Sequence, residues 1–208
     1  MSPALAAQIA DGERALIKLD PELGRLIKLQ APIVHEPRAD YFWSLTESIV
    51  SQQLSVKASD TIFKRLETAT GVAPQRVLDL GEDEGRALGL SRQKWRYLQD
   101  LAAKFVEDPQ VYRHLDRLSD EDVIRDLTAV KGIGVWTAQM FLMFSLVRLD
   151  VFAPDDIGLQ RAMKLLYGWS EVPPRAELER VGGAWRPYRT IACWHLWRSL
   201  HNEQLPAI

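Results

Sequence analysis

Cysteine is almost missing from this 208-residue chain: Cys193 stands alone, so no disulfide can close within it. A Cys-ligated zinc or iron–sulfur site is excluded for the same reason. No run of about eighteen apolar residues occurs, so no helix is expected to span a membrane. Sustained period-2 alternation, the mark of a half-buried strand, does not appear, nor do solenoid repeats or low-complexity tracts. An excess of positive charge is lacking too: 26 Lys and Arg face 28 Asp and Glu, a formal net charge of −2. That argues against a protein that coats nucleic acid non-specifically, yet leaves room for a small footprint built from backbone amides. The N-terminal stretch carries Asp11, Glu13 and Asp20 without a sustained apolar segment, so it does not read as a signal peptide, and a cytoplasmic location is expected.

What is present is an ordinary globular balance, 47% hydrophobic and 26% charged, in a chain long enough to bury a core without disulfides or a structural metal. Helix punctuation recurs throughout. Ser2-Pro3 and Asp20-Pro21 each set a capping residue before a proline suited to a first helical turn. Asp40 precedes a run, Tyr41 to Gln52, with a helical stripe at Phe42, Leu45, Ile49 and Val50. Ser55 caps a helix that buries Ile62, Phe63 and Leu66; Ser91 opens a long one with Trp95, Leu98, Leu101, Ala102 and Phe105 at helical spacing. Ser119-Asp-Glu-Asp122 has the form of a capping box ahead of Val123, Ile124 and Leu127. After Val130 come a Gly-X-Gly turn, an apolar helix to about Val147, and a loop holding Pro154-Asp155-Asp156. Three helices close the chain, the last opening at Pro187. The expected fold class is all-α.

The segment from Leu127 to Ala138 is the most informative. One helix ends near Val130, Gly132 and Gly134 permit backbone angles that other residues resist, and a new helix begins at once. Ile133 is apolar and plugs the space between the helices. The amides of Gly132, Gly134 and Val135 then point outward at a helix N-terminus, a ready phosphate site, with the cation of Lys131 beside it. Such a grip touches backbone, not bases. Read alone, however, Gly-X-Gly between helices is more often only a tight turn.

The flanking sequence decides between the two. The stretch resembles the helix-hairpin-helix of the DNA glycosylase superfamily, in which a Gly-Asp or Pro-Asp loop follows some twenty residues later; here 156 − 136 = 20 positions separate Trp136 from Asp156. The likeness extends through Ser51-Gln-Gln-Leu-Ser55, Gly89-Leu-Ser-Arg-Gln-Lys94, Asp150-Val-Phe-Ala-Pro-Asp-Asp156 and Trp185-Arg-Pro-Tyr-Arg189. These blocks are similar to the landmarks of the 3-methyladenine DNA glycosylase II family, over roughly residues 40–200. The resemblance implies a helix-hairpin-helix glycosylase fold of two helical subdomains with the active-site cleft between them. Residues 38–130 form one; residues 1–37 with 131–208 form the other, which carries hairpin 127–138 and the catalytic loop. The resemblance is to a compact form, and the N-terminal β-rich domain of longer members is not expected.

Asp155 and Asp156 stand at a helix start, ahead of Ile157, Leu159 and Met163. Read alone, one of them is simply an N-cap. That position also stabilises negative charge, and cleavage of a glycosidic bond passes through a sugar with oxocarbenium character that a carboxylate stabilises. The same group can orient or deprotonate the attacking water. A helix from Val135 to Val147 advances about 20 Å, and residues 148–156 in extended form cover about 30 Å. Asp156 can therefore return beside the hairpin. The family pattern makes Asp156 the catalytic carboxylate and Asp155 structural.

Trp136 occupies the position where bifunctional members carry a nucleophilic lysine, so the resemblance implies base release that leaves an intact abasic strand. Seven Trp are present, five of them from Trp136 onward, and Trp194 and Trp197 share a face of the last helix. An aromatic stripe is usually core, but tryptophan faces also bind the delocalised cation of an alkylated purine better than a neutral base. By resemblance Trp136 and Trp197 line the base pocket, with Met140 where some relatives have tyrosine. Gln53 and Leu54 lie in a short turn that reads equally as a polar loop with one apolar anchor or as a wedge filling the gap left by a flipped base; the Ser-Gln-Gln block favours the wedge. Lys57, Lys64, Arg92, Lys94 and Arg96 are either phosphate contacts or solvated charges.

The expected function is a monofunctional DNA glycosylase releasing alkylated purines in base excision repair, acting as a monomer on double-stranded DNA, with no cofactor and no membrane. The resemblance adds a monovalent cation held by hairpin backbone carbonyls. The sequence does not rank 3-methyladenine, 7-methylguanine, hypoxanthine, ethenoadenine and 1-methyladenine. A non-catalytic helix-hairpin-helix module that binds damaged DNA is the alternative, but it needs neither Asp156 nor an aromatic pocket. An oxidised-base glycosylase with lyase activity is disfavoured by Trp136.

Overall fold

The computed structural model describes residues 2–201, and among them every regular element is helical. The capping residues read from the sequence do the work assigned to them. Ser2 accepts the amide of Leu5 at the start of α1 (Pro3–Leu19), and Asp20 those of Glu22 and Leu23 at the start of α2 (Pro21–Leu29). Asp40, Ser55 and Ser91 cap α3 (Tyr41–Ser51), α4 (Val56–Thr70) and α7 (Arg92–Glu107). Ser119 caps α8 (Asp120–Thr128), its Oγ also donating to Asp122 at 2.9 Å. Each such cap is worth about 1 kcal/mol.

The chain divides into two compact units. One spans Arg38–Leu146; the other joins the residues up to Pro37 to those from Val147 onward. The second boundary thus falls after 146, where the sequence had suggested 130, and the hairpin belongs with the central helices. The reason lies in α9 (Val135–Phe144): its Thr137, Ala138, Phe141, Leu142 and Met143 are buried, and it packs on both α3 and α8. An apolar helix follows the partners that cover it. In this unit Leu45, Ile49, Leu66, Leu98, Leu101 and Leu127 are fully buried.

Two short helices in the central unit, α5 (Pro74–Asp79) and α6 (Glu82–Ala87), are not legible in the sequence, because neither has a side-chain N-cap. At α6 the Glu84 carboxylate instead accepts the Gly81 amide at 2.7 Å. The last turn of α9 also ends earlier than the apolar run suggests. The Leu146 amide reaches back to the Phe141 carbonyl, and Val147 takes a left-handed φ of 53°.

The other unit holds α1, α2, α10 (Ile157–Leu166), α11 (Arg175–Gly183) and α12 (Arg189–His201). Asp20 serves twice here: one carboxylate oxygen caps α2, and the other accepts Tyr167 Oη at 2.5 Å and Trp185 Nε1 at 3.0 Å. Burial and the Asp20 carboxylate push the Tyr167 phenol well above its ordinary range. Glu13 accepts His195 Nε2 at 3.0 Å and the Ile33 amide at 2.9 Å, tying α1 to α12. The final helix starts at Arg189, two residues later than expected, because residues 184–187 form a turn in which the Tyr188 amide donates to the Trp185 carbonyl at 2.8 Å.

Candidate functional site

In the central unit the hairpin closes on its own backbone. The Val130 amide donates to the Leu127 carbonyl at 3.0 Å and the Ile133 amide to the Val130 carbonyl at 3.1 Å. Gly132 is required twice over: its φ is +84°, and a Cβ would meet the Tyr97 ring at 2.2 Å. Gly134 differs. It has ordinary extended angles, it caps α9 without a side chain, and nothing lies within 4 Å of where its Cβ would be. Ile133 is buried as expected, at 4% exposure, whereas Lys131, Gly134 and Val135 are exposed. The N-terminus of α9 therefore presents an open backbone face beside a cation, and no side chain keeps a phosphate from it.

Gln52 closes α3 and reaches the hairpin, its Nε2 donating to the Gly132 carbonyl at 2.7 Å and Thr137 Oγ1 at 3.3 Å. Next to it Gln53 is exposed with a left-handed φ of 56°, and Leu54 is 40% exposed. Both side chains of the proposed wedge thus project from a turn. Lys94 Nζ donates to the Val50 and Gln52 carbonyls, both at 2.7 Å, and Arg92 pairs with Glu82 at 2.6 Å. A polar hollow of about 350 Å³ separates this turn, the start of α7 and the hairpin. A larger hollow, about 680 Å³ between Phe42, Val72, Pro74, Phe105 and Tyr112, lies at the opposite ends of α3 and α7. It is remote from the hairpin.

In the other unit Asp156 is both the N-cap and something more. Its Oδ1 accepts the Leu159 amide at 2.6 Å and Trp197 Nε1 at 2.8 Å. The carboxylate is half-buried and held from two elements at once. Gly158 makes room for this pair: a Cβ there would sit 3.1 Å from Asp156 Oδ1 and 3.4 Å from Trp197 Cδ1. Asp155 is exposed, and both its oxygens are engaged by Arg175 Nη1 at 2.9 and 2.6 Å, with Arg175 Nε on Glu179. The loop behind Asp156 is buckled to the start of α12. Arg189 Nε donates to Asp150 Oδ1 at 2.7 Å, Arg186 Nη1 to Asp150 Oδ2 at 3.0 Å, and Thr190 Oγ1 accepts the Val151 amide at 2.9 Å.

The sequence reading did not find the Trp197–Asp156 bond, the Arg189–Asp150 pair or the Gln52 bridge. Their only trace was that these residues fall in the motif blocks or on the last helix. Trp194, which shares a helix face with Trp197 on spacing, is buried against His35 at 4.3 Å between centroids. Trp136 and Met140 are half-buried, one turn apart on α9. Among the described residues no group of three or more His, Cys, Asp or Glu could hold a metal ion. The Val130 and Gly132 carbonyls each already accept a hydrogen bond. An oxygen with a second lone pair still suits a monovalent cation.

Trp197→Phe keeps an aromatic ring, smaller than the indole, and removes the N–H. Loss of a hydrogen bond to a carboxylate costs about 1.5–3 kcal/mol, so base release is expected to fall about ten- to hundredfold. Affinity for lesion DNA should change little; single-turnover rates with a parallel binding titration check both.

Residues 46–187 match the HhH-GPD superfamily of base excision DNA repair proteins. The chain belongs to that superfamily. It is 30% identical over 203 residues to DNA-3-methyladenine glycosylase 1 of Schizosaccharomyces pombe, covering 94% of this chain and 89% of the relative. It is 31% identical over 230 residues to the DNA-3-methyladenine glycosylase of Saccharomyces cerevisiae, covering 88% and 77%. Among solved structures it is similar to the S. pombe 3-methyladenine DNA glycosylase in complex with abasic DNA, with a TM-score of 0.85, 29% identity and coverage of 95% and 98%. The DNA-3-methyladenine glycosidase of Bacillus halodurans gives a TM-score of 0.73 at 38% identity, covering 91% and 89%. The all-α helix-hairpin-helix glycosylase fold expected from the sequence is thereby established for this chain.

Proposed function

We propose that the chain is a monofunctional DNA glycosylase that hydrolyses the N-glycosidic bond of alkylated purines in double-stranded DNA, with Asp156 as its catalytic carboxylate. The observation that carries this reading is the hold on Asp156 by the Leu159 amide and the Trp197 indole, in a chain whose relatives over nearly its whole length are 3-methyladenine glycosylases. The hairpin amides and Lys131 hold a phosphate, and Gln53 or Leu54 fills the space that the flipped base vacates. A purine alkylated at N3 or N7 carries positive charge, so it leaves readily. The C1′–N bond breaks with its electron pair going to the base, which departs neutral. Asp156 faces the positive charge left on the sugar and orients a water toward C1′; the water's proton passes to the carboxylate or to solvent.

Trp136 and Met140 line the base pocket, and the indole face favours a cationic purine over a neutral one. Trp197 is assigned a second role beyond the pocket, since its N–H is committed to Asp156. A monovalent cation held by the Val130 and Gly132 carbonyls would add positive charge beside the phosphate.

Because tryptophan offers no amine, no Schiff base forms at position 136. DNA treated with dimethyl sulfate should be nicked only after alkali, and borohydride should trap no covalent adduct. Strand scission without alkali, or a robust trapped species, would overturn the monofunctional reading. A preference for oxidised over alkylated DNA would overturn the substrate class.

A further inference from the structure

We infer that Lys94 and Gln52 are positioning residues for base flipping: together they brace the Gln53-Leu54 turn against the hairpin so that it enters the base stack as a stiff strut. The inference rests on the wedge reading above and asks what makes such a wedge work.

Lys94 is out of place by ordinary rules. It sits in the first turn of a sixteen-residue helix, where the dipole favours an acid, and it is half-buried. Burial pulls its ammonium below the usual lysine range. Two contacts offset these penalties, the 2.7 Å hydrogen bonds to the Val50 and Gln52 carbonyls. Those carbonyls belong to the end of α3, where the helix leaves acceptors without a partner. The lysine therefore closes α3 immediately before the turn, in place of a glycine cap.

The turn itself needs such support. Gln53 is a non-glycine residue at a φ of 56°, a conformation that persists only where its surroundings enforce it. On one side Lys94 fixes the carbonyl of Gln52; on the other the Gln52 side chain is anchored to Gly132 O and Thr137 Oγ1. Gly132 in turn sits against the Tyr97 ring of α7, one helical turn beyond Lys94. Turn, hairpin and α7 thus close a loop of contacts within the central unit. Pushing a side chain into stacked bases loads the turn that carries it, and unstacking requires a few kcal/mol. A turn that yields would lose part of that work to its own ordering on binding. A turn braced on the hairpin transfers the load to the element that grips the phosphate.

The test compares one lesion in two settings: a 7-methylguanine in a fully paired duplex, and the same lesion inside a short unpaired bubble where no base pair has to open. Lys94→Met and Gln52→Ala should each slow single-turnover release from the paired duplex about tenfold or more, and release from the bubble less than about threefold. A Gln53→Ala, Leu54→Ala double variant should show the same pair-dependent loss. Equal losses in both settings for Lys94→Met and Gln52→Ala would reduce them to general structural supports and overturn the inference, as would no loss in either. If they fail while the double variant behaves as expected, the wedge reading stands and only the bracing falls. If the double variant itself shows no dependence on pairing, the wedge reading falls and takes the bracing with it. Gln52→Ala leaves Lys94 and the core of α3 intact, so it carries the test should Lys94→Met fold poorly.

Discussion

Asp156→Asn is expected to abolish release of alkylated purines while lesion-DNA affinity stays within a few-fold of the unaltered protein. The amide preserves the size of the side chain, and its oxygen can still accept the Leu159 amide and the Trp197 indole at the places where Asp156 Oδ1 does. The fold and the helix cap therefore persist. What disappears is the negative charge facing the sugar. Loss of a preorganised charge at the reacting centre costs several kcal/mol, which is about a thousandfold or more in rate. The retained cap makes the substitution informative: if Asp156 were only the N-cap of α10, asparagine would replace it with almost no effect, because the two residues cap equally well. Single-turnover release of 7-methylguanine, with thermal unfolding in parallel, separates the two roles.

Gly134→Asp should have the largest effect on DNA binding. The space beside the Gly134 Cβ is empty to 4 Å and its backbone angles suit any residue, so an aspartate fits there without strain. Its carboxylate would stand at the exposed start of α9, where a phosphate is to lie. Bringing like charges together at an interface costs several kcal/mol, so affinity for damaged and undamaged duplex alike should fall about a hundredfold or more. Gly134→Ala, which adds bulk without charge, should fold normally and lose much less. Gly132→Ala should instead damage the hairpin itself, through the +84° φ and the Tyr97 ring. Binding titrations at two salt concentrations with melting curves distinguish these cases, because loss of a phosphate contact also makes the salt dependence shallower. If Gly134→Asp binds like the parent protein, the hairpin is only a turn between helices.

The parts of the molecule that local chemistry writes were legible from residues alone. Ser2, Asp20, Asp40, Ser55, Ser91 and Ser119 each cap the helix they announce, since a capping side chain and the amides it accepts lie within three residues. The helix start at Asp156 was legible for the same reason, and the hairpin from its Gly-X-Gly between two apolar stretches. The short helices α5 and α6 were not, because their N-caps are Ala73 and Gly81, whose side chains carry no acceptor. The end of α9 escaped as well: the apolar run continues through Leu146 and Val147, but the backbone turns after Phe144.

The site divides along the same line. Which residues matter could be read from motif blocks, but what they touch could not. Trp197 meets Asp156 across 41 positions, Gln52 meets Gly132 across 80, and Lys94 meets Gln52 across 42. No periodicity or spacing encodes such pairs. Lys94 shows the consequence. As a lysine in a first turn it reads as a solvated charge or a phosphate contact, and only the placement of its ammonium on two carbonyls shows it to be part of the scaffold.

The central claim is that this chain releases alkylated purines as free bases, with Asp156 as the catalytic carboxylate. It is tested most directly by incubating the protein with dimethyl-sulfate-treated duplex DNA, filtering the reaction, and identifying the released bases by mass spectrometry. Free 3-methyladenine and 7-methylguanine should appear in the filtrate with the unaltered protein well above the level released without protein, and should not exceed that level with Asp156→Asn. A filtrate without methylated purines above that level, or one that is the same for both proteins, would contradict it.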